Sequence, residues 1–391
     1  MKSPELSVQS CVKSRFTGFF AFVLLLSSCQ PSTESEAERM QRASHEPAIA
    51  VSLASQRLAT GEYDAALHWL RQAAVLGDKT ALQHALQLQQ REQGRLATAY
   101  WLQQQLDAGK LAETQVSAAQ RAELGLWSKH EAAIAGYRHA QGCALTLQPI
   151  AGQQAGVSNW QKLQQQWQQD KQLSQLSVCF LPLQRINSIT LACSEDSSSL
   201  VQCDYQALDK LVAGGGFSQL LVMAGRGKAS YNNGILQLPD NASLALLRHE
   251  FMHILGFIDE YELAAASAAE VCQAGKIYPN LLLTEDAKAY QQHWSLSQQP
   301  ELTAVDTCRA AGVQAYRVIA ADNVMRFYEL ALPSLYFQLA QHILHQPEQL
   351  MPVQYYFAHL ARQRQDWEQW QQFMLQASAL GYADAQQALA P

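Results

Sequence analysis

Charge is scarce in this chain. Only 16% of its 391 residues are charged, and 28 basic residues against 34 acidic ones leave a formal net charge of −6. No basic block occurs, which argues against a phosphate-neutralising face and so against nucleic-acid binding. Long apolar runs are missing too. The one candidate, Phe16 to Leu26, has 11 residues, where a bilayer span needs about 20; a polytopic membrane protein is excluded. There is no C-x-x-C pair, which argues against a cysteine-built metal site. A phosphate loop is absent as well: beside Gly227-Lys228, Ala229 replaces the required Ser or Thr, and Val222 stands where the first Gly belongs. What the chain does have is apolar material, 48% of its residues. That is ample for buried cores and suggests two or three domains.

Near the N-terminus Lys13 and Arg15 precede the apolar run, and Leu26-Ser27-Ser28-Cys29 follows it. This order resembles the lipobox of bacterial lipoproteins. The resemblance implies a signal peptide over residues 1–28 and lipidation of Cys29. With Gln30 and no aspartate after the cysteine, it also implies the outer membrane, facing the periplasm, with membrane contact through the lipid alone. The polar residues 29–45 read as a flexible tether. Six further cysteines follow, Cys143, Cys179, Cys193, Cys203, Cys272 and Cys308. An even number in an exported protein argues for disulfides. Nearness in sequence favours Cys193–Cys203 and Cys272–Cys308, leaving Cys143–Cys179, although spacing alone leaves other pairings open.

The flanks differ from the middle. Residues 46–142 are rich in Ala, Leu and Gln, with apolar residues at helical steps, as in Tyr63, Ala66, Leu70, Ala73 and Ala74. Gln72-Ala73, Leu76-Gly77 and Ala81 recur at the same offsets as Gln376-Ala377, Leu380-Gly381 and Ala385. The pattern predicts a helix stopped by Gly in a left-handed conformation, then a second helix packed through small Ala residues. It resembles tetratricopeptide-like repeats of the Sel type, in a domain over 46–142 and a C-terminal segment over 346–391. Such repeats imply a surface for a protein partner. Between them, residues 143–345 carry strand-like stretches at Leu176–Pro182, Ile189–Cys193 and Gln219–Met223. The expected class is α+β, a mixed sheet with a functional helix, flanked by all-α segments.

The chemistry sits in Arg248-His249-Glu250-Phe251-Met252-His253-Ile254-Leu255-Gly256-Phe257-Ile258-Asp259-Glu260-Tyr261. On a helix, His249 and His253 share one face and can point at one ion, with Glu250 beside them as a base. Asp240 and Asn241 are the expected caps, and Leu244, Leu247, Phe251 and Ile254 the apolar back face. Gly256 can turn the chain back. Asp259 then supplies a third ligand, with Glu260 as the competing choice.

This spacing resembles that of the metzincin metallopeptidases, H-E-x-x-H-x-x-G-x-x-H, in the variant with Asp last found in snapalysin-type members. The Asp-Glu-Tyr run also resembles bacterial proteases of the immunoglobulin-A-cleaving type, whose spacing is one residue longer. The resemblance implies a Zn²⁺ ion on His249, His253 and Asp259, Glu250 as general base, and a protein or peptide substrate cleaved as by an endopeptidase. It further implies a methionine turn, for which Met325 in Asn323-Val324-Met325-Arg326 is the candidate. Tyr328 and Tyr261 are candidates for transition-state hydrogen bonding. Ile235, Leu236, Gln237 and Leu238 are candidates for an edge strand that pairs with substrate. Residues 262–322 form an insertion. A different class also stays open: a non-catalytic outer-membrane assembly lipoprotein that works through its repeats.

Overall fold

The computed structural model describes residues 34–128 and 131–390. The expected signal segment, Cys29 and the first residues of the tether lie outside them. Five helices come first: α1 (Glu36–Ala43), α2 (Pro47–Ala59), α3 (Tyr63–Val75), α4 (Lys79–Asp107) and α5 (Ala118–Glu123). α1 occupies the second half of the expected tether. Ser35 and Glu38 form a capping box at its start, and Ala43 is buried at its end. Local hydrogen bonding and a docked alanine thus order a stretch whose polarity alone reads as a linker. α2, α3 and the first half of α4 pack as antiparallel hairpins around Leu53, Leu67, Leu70 and Leu88.

The mixed sheet follows, with β1 (Leu145–Ala151), α6 (Gln154–Gln169), β2 (Val178–Phe180), β3 (Gln184–Arg185), α7 (Ser188–Leu191), α8 (Asp209–Gly214), β4 (Gln219–Met223), β5 (Ser230–Asn232), β6 (Ile235–Leu238) and α9 (Leu244–Ile254). Its order is β2-β1-β4-β6-β5, with β3 also on β1. All pairings are parallel except β5 with β6. β1 contains Pro149, which cannot donate to a ladder. On the β2 side the pairing stops at Leu147 and resumes with β3 at Ile150, so Pro149 falls in the gap. Ile189–Cys193, expected as strand, instead lies largely in α7. Asn187 and Ser188 bond to the backbone of Trp127 and Gly125 across from it, which fixes a single helical turn.

An insertion then carries α10 (Ala265–Val271), β7 (Leu281–Leu282), α11 (Ala287–His293), β8 (Thr303–Val305) and β9 (Ala315–Arg317), with a three-stranded sheet of its own in the order β7-β9-β8. The chain ends in α12 (Ser334–Ile343), α13 (Val353–Gln363), α14 (Trp367–Ala379) and α15 (Ala383–Ala388). The two sequence repeats end their first helices alike. The N–H of Asp78 closes on Ala73 O at 3.0 Å and that of Tyr382 on Ala377 O at 3.1 Å, with Gly77 and Gly381 at positive φ between.

The sheet is sandwiched. Leu221, Met223, Leu236 and Leu238 face Trp160 and Trp167 of α6 and Phe251 of α9. Leu220, Val222 and Ile235 face Phe357 of α13 and Phe373 of α14. The C-terminal helices are therefore the second layer of the central unit, and the continuous apolar run of β4 is the signature of a strand buried on both faces. Disulfides join Cys143–Cys179, Cys193–Cys203 and Cys272–Cys308, the pairing that sequence nearness favours. No helix among the described residues is long and apolar enough to cross a membrane.

The N-terminal helices are tied to this unit by a buried ion cluster. α4 breaks at Gly94, and Arg95 turns inward to Glu195 and Asp240, both at 2.9 Å. Removing one partner of such a cluster strands the others in a poorly solvated place. Arg95→Ala is expected to lower the unfolding free energy by about 3–5 kcal/mol, read from urea denaturation. A change under about 1 kcal/mol, the scale of an exposed pair, would show that solvent already screens the cluster.

Candidate metal centre and active site

α9 positions the site. Its cap is Ser243, whose hydroxyl accepts from Leu246 N–H at 3.1 Å. Asp240, expected as cap, is engaged by Arg95 instead, and Asn241 makes no cap. The apolar face is as the spacing predicts: Leu247, Phe251 and Ile254 are buried, and Phe251 meets Trp167 edge to face. The helix must stop after His253 for Asp259 to return to the imidazoles. Gly256 does this with φ +80, while Phe257 N–H closes on Met252 O at 3.2 Å. A β-carbon on Gly256 would meet nothing within 4 Å, so its requirement is conformational rather than spatial.

Both imidazoles are held by backbone carbonyls. His249 Nδ1 lies 2.8 Å from Val324 O, and His253 Nδ1 lies 2.8 Å from Phe257 O. A carbonyl can only accept, so each Nδ1 carries a proton, and in its neutral form each ring turns a bare Nε2 lone pair into the cleft. The two Nε2 atoms are 3.3 Å apart. Asp259 Oδ1 lies 3.3 Å from one and 3.4 Å from the other. That oxygen is buried and has no hydrogen-bond partner. With both rings neutral, three acceptors converge with no donor among them. The edge of a tetrahedron is about 1.63 times its centre-to-corner distance, so bonds of about 2.0–2.1 Å, as zinc makes to nitrogen and oxygen, need corners about 3.3–3.4 Å apart. The triangle fits. Among the described residues this is the only group of three or more His, Cys, Asp or Glu side chains that could hold a metal ion.

Electrostatics carry the same demand for positive charge. Burial pulls the pKa of His253 down, but Asp259, Glu250 and the Phe257 carbonyl outweigh it and lift it to about 9. Burial pushes Asp259 up, yet the two imidazoles hold it far below the usual carboxylate range. Glu250 is raised, chiefly by burial, with His253 and His249 opposing and Asp259 adding to the rise. It lines the cleft beside the triad and makes no hydrogen bond to any described residue.

The residues after the turn divide sharply in role. Tyr261 donates to Asp259 Oδ2 at 2.8 Å, which leaves Oδ1 to the imidazoles. Glu260 points the other way, is wholly buried, and accepts from Tyr336, Asn280 and Asn323. Burial raises its pKa against those bonds and the Arg317 charge. It holds no place in the triad. The turn at Met325 lies alongside: Met325 is buried, its carbonyl accepts from Glu260 N–H at 2.9 Å, and Val324 bears the carbonyl that orients His249. Asn280 was not legible as a site residue. Its side chain brackets Ile258 from both sides, accepting from N–H and donating to C=O, and so fixes the return path of the chain. Neither it nor Tyr336 falls in any motif.

Two expected features are placed differently. Tyr328 is exposed and does not line the cleft. Ile235, Leu236, Gln237 and Leu238 form β6, which is paired on both sides, so it is not an edge. The edge is β5, antiparallel to it, and Ser230 and Tyr231 of β5 line the cleft. The tight Asn233-Gly234 turn makes the preceding residues, rather than the following ones, the outer strand.

No family model matches the chain, and no curated protein matches it in sequence.

Glu260→Ala strands two amides and a phenol in a dry pocket. A loss of at least about 3 kcal/mol in stability is expected, at about 1–3 kcal/mol for each unsatisfied group. Thermal unfolding measures it, and an unchanged midpoint would mean that water replaces the carboxylate there.

Proposed function

We propose that this chain is a zinc-dependent endopeptidase of the metzincin-like type, anchored in the bacterial envelope through Cys29. The observation that carries this reading is the convergence of three acceptor atoms, two of them locked in one tautomer by backbone carbonyls, beside an unengaged buried carboxylate. His249, His253 and Asp259 are the residues that would hold the ion. Zinc held there supplies Lewis acidity, acidifying a water and polarising a carbonyl.

The chain's own groups do the rest. Glu250, with its pKa raised by burial, takes a proton from the attacking water and returns it to the departing amine as the C–N bond breaks. Tyr261 steadies Asp259 and is available at the rim of the cleft. The free edge of β5 offers backbone groups to an extended peptide by strand addition, the role expected of residues 235–238. The three disulfides suit an oxidising compartment such as the periplasm.

The scaffold alternative gives Glu250 nothing to do, since it supports no described part of the fold. The helical repeats still offer a surface for a protein partner, alongside the catalytic unit.

Purified chain should carry about one zinc ion and cleave an unfolded protein substrate. Glu250→Gln is expected to keep the metal and lose about a hundredfold or more in kcat. Equal rates in the two proteins would remove the peptidase reading. Chelation should abolish cleavage, with zinc restoring it. Tyr261→Phe is expected to weaken zinc binding by about 10–100-fold, measured by competition with a chelating dye; an unchanged affinity would mean the phenol does not orient Asp259.

A further inference from the structure

β5 is three residues long and, among the described residues, pairs only with β6. So short a ladder holds a strand weakly on its own, yet an edge that receives a peptide must keep its backbone aimed. The bracing comes from the loop closed by Cys193–Cys203. Arg226 N–H donates to Ser194 O at 3.2 Å, Lys228 N–H to Ser199 O at 2.7 Å, and Val201 N–H to Lys228 O at 3.0 Å. Lys228 is followed by Ala229, Ser230 and Tyr231, which line the cleft, as Leu200 of the same loop does. The loop and β5 thus form one wall.

That loop also carries Glu195. Its carboxylate accepts from Arg95 Nε at 2.9 Å, from the backbone N–H of Arg95 at 3.2 Å and from the Gln153 amide at 3.3 Å. Arg95 Nη1 donates to Asp240 at 2.9 Å. Asp240 stands three residues before Ser243, the cap of α9. The turn between them is closed by Ala242 N–H on Pro239 O at 3.0 Å and tied to α6 by Asn159, which donates to Ala242 O at 2.9 Å. One planar guanidinium therefore spans the wall that holds β5 and the start of the helix that bears His249, Glu250 and His253. It is presented by α4, whose second half docks on α7 through the Tyr100 hydroxyl and Ile189 O at 3.0 Å.

We infer that Arg95 is a positioning residue for peptide hydrolysis: it fixes the β5 wall against α9 and so makes the N-terminal helices part of the substrate-binding machinery. This rests on the peptidase reading and adds to it a residue far from the reacting atoms. A guanidinium bonds two carboxylates in fixed directions, whereas an ammonium is a point charge that sets no such angle. Loosening the clamp leaves the imidazoles aimed, because Val324 O and Phe257 O hold them independently. What it frees is the wall. The loss therefore falls on peptides long enough to lie along β5, where a misplacement of about 1 Å costs up to about a hundredfold.

The test uses zinc-loaded full chain on two peptides with the same scissile pair, one long enough to run along β5 and one a blocked dipeptide. Arg95→Lys keeps the charge. It is expected to lower the ratio of kcat/KM for the long peptide over the short one by about tenfold or more, mainly through KM. A protein that is merely less well folded loses both rates by one factor and keeps the parent's ratio. Cys193→Ser with Cys203→Ser frees the same loop without touching Arg95 and should move the ratio the same way. The parent's ratio in either variant overturns the inference and leaves the peptidase reading standing. A second measurement separates the two. The long peptide, labelled, is titrated by fluorescence anisotropy onto zinc-loaded Glu250→Gln protein with and without Arg95→Lys. If the wild type cuts nothing, yet Arg95→Lys weakens binding by about tenfold, the clamp stands and catalysis falls. No cutting and no difference in binding overturns both.

Discussion

The constraint on which the molecule turns is an electrostatic one. Two imidazole lone pairs and a carboxylate oxygen are brought to within 3.4 Å of one another in a half-dry cleft. With both rings neutral that arrangement is repulsive and lacks solvent to relieve it, so the site favours a proton on His253 or a cation. It persists because each group is held from behind, by Val324 O, Phe257 O and the Tyr261 hydroxyl. A cation at the centre turns the repulsion into the strongest attraction in the site. Much of the surrounding structure serves to aim these three atoms: the cap at Ser243, the stop at Gly256, the Asn280 bracket on Ile258, and the Glu260 bond to Met325.

Legibility followed range along the chain. His249, Glu250, His253, Gly256 and Asp259 stand within eleven residues, so helical periodicity and a single turn are enough to bring them together on paper. The apolar face of α9 was legible for the same reason. Asn280, Asn323 and Tyr336 reach Glu260 from 20, 63 and 76 residues away, and no local pattern announces such a meeting. Asp240 shows a different failure. It is a good cap by type, but Arg95, 145 residues distant, offers it a charge, and a full charge outbids a backbone N–H. The edge strand differs from its expectation by one element, because the sequence marks the turn but not which of its two arms finds a further partner.

Domain boundaries were the least legible feature, for a physical reason. Helical spacing in 346–391 reveals a buried stripe without revealing what buries it. That stripe covers the back of the central sheet, with Gln354 donating to Phe217 O and Gln219 to Met351 O across the seam. The sheet could not be solvated there, since Leu220 and Val222 alternate with residues committed to the other face. The same repeat motif thus ends a hairpin within the N-terminal helices and, at the C-terminus, roofs the sheet. Sequence similarity between the two copies reflects a shared helix-stop geometry, and their surroundings decide what each does.

Asp259, Glu260 and Tyr261 show how closely function and folding are interleaved. Asp259 faces the cleft, and its neighbour along the bend, Glu260, faces the interior. An apolar residue at 260 would satisfy burial but would leave Asn280 and Asn323 without an acceptor. A carboxylate there draws both amides and Tyr336 together, and through Asn280 it fixes the backbone at Ile258, one residue before Asp259. Tyr261, facing outward again, returns to Asp259 from the solvent side. Triad member, anchor and brace are therefore three consecutive residues. Exchanging Asp259 and Glu260 would send the longer side chain into the cleft and the shorter one into a pocket it cannot span. The order of the two acids is thus a matter of reach, and it selects Asp259 for the triad.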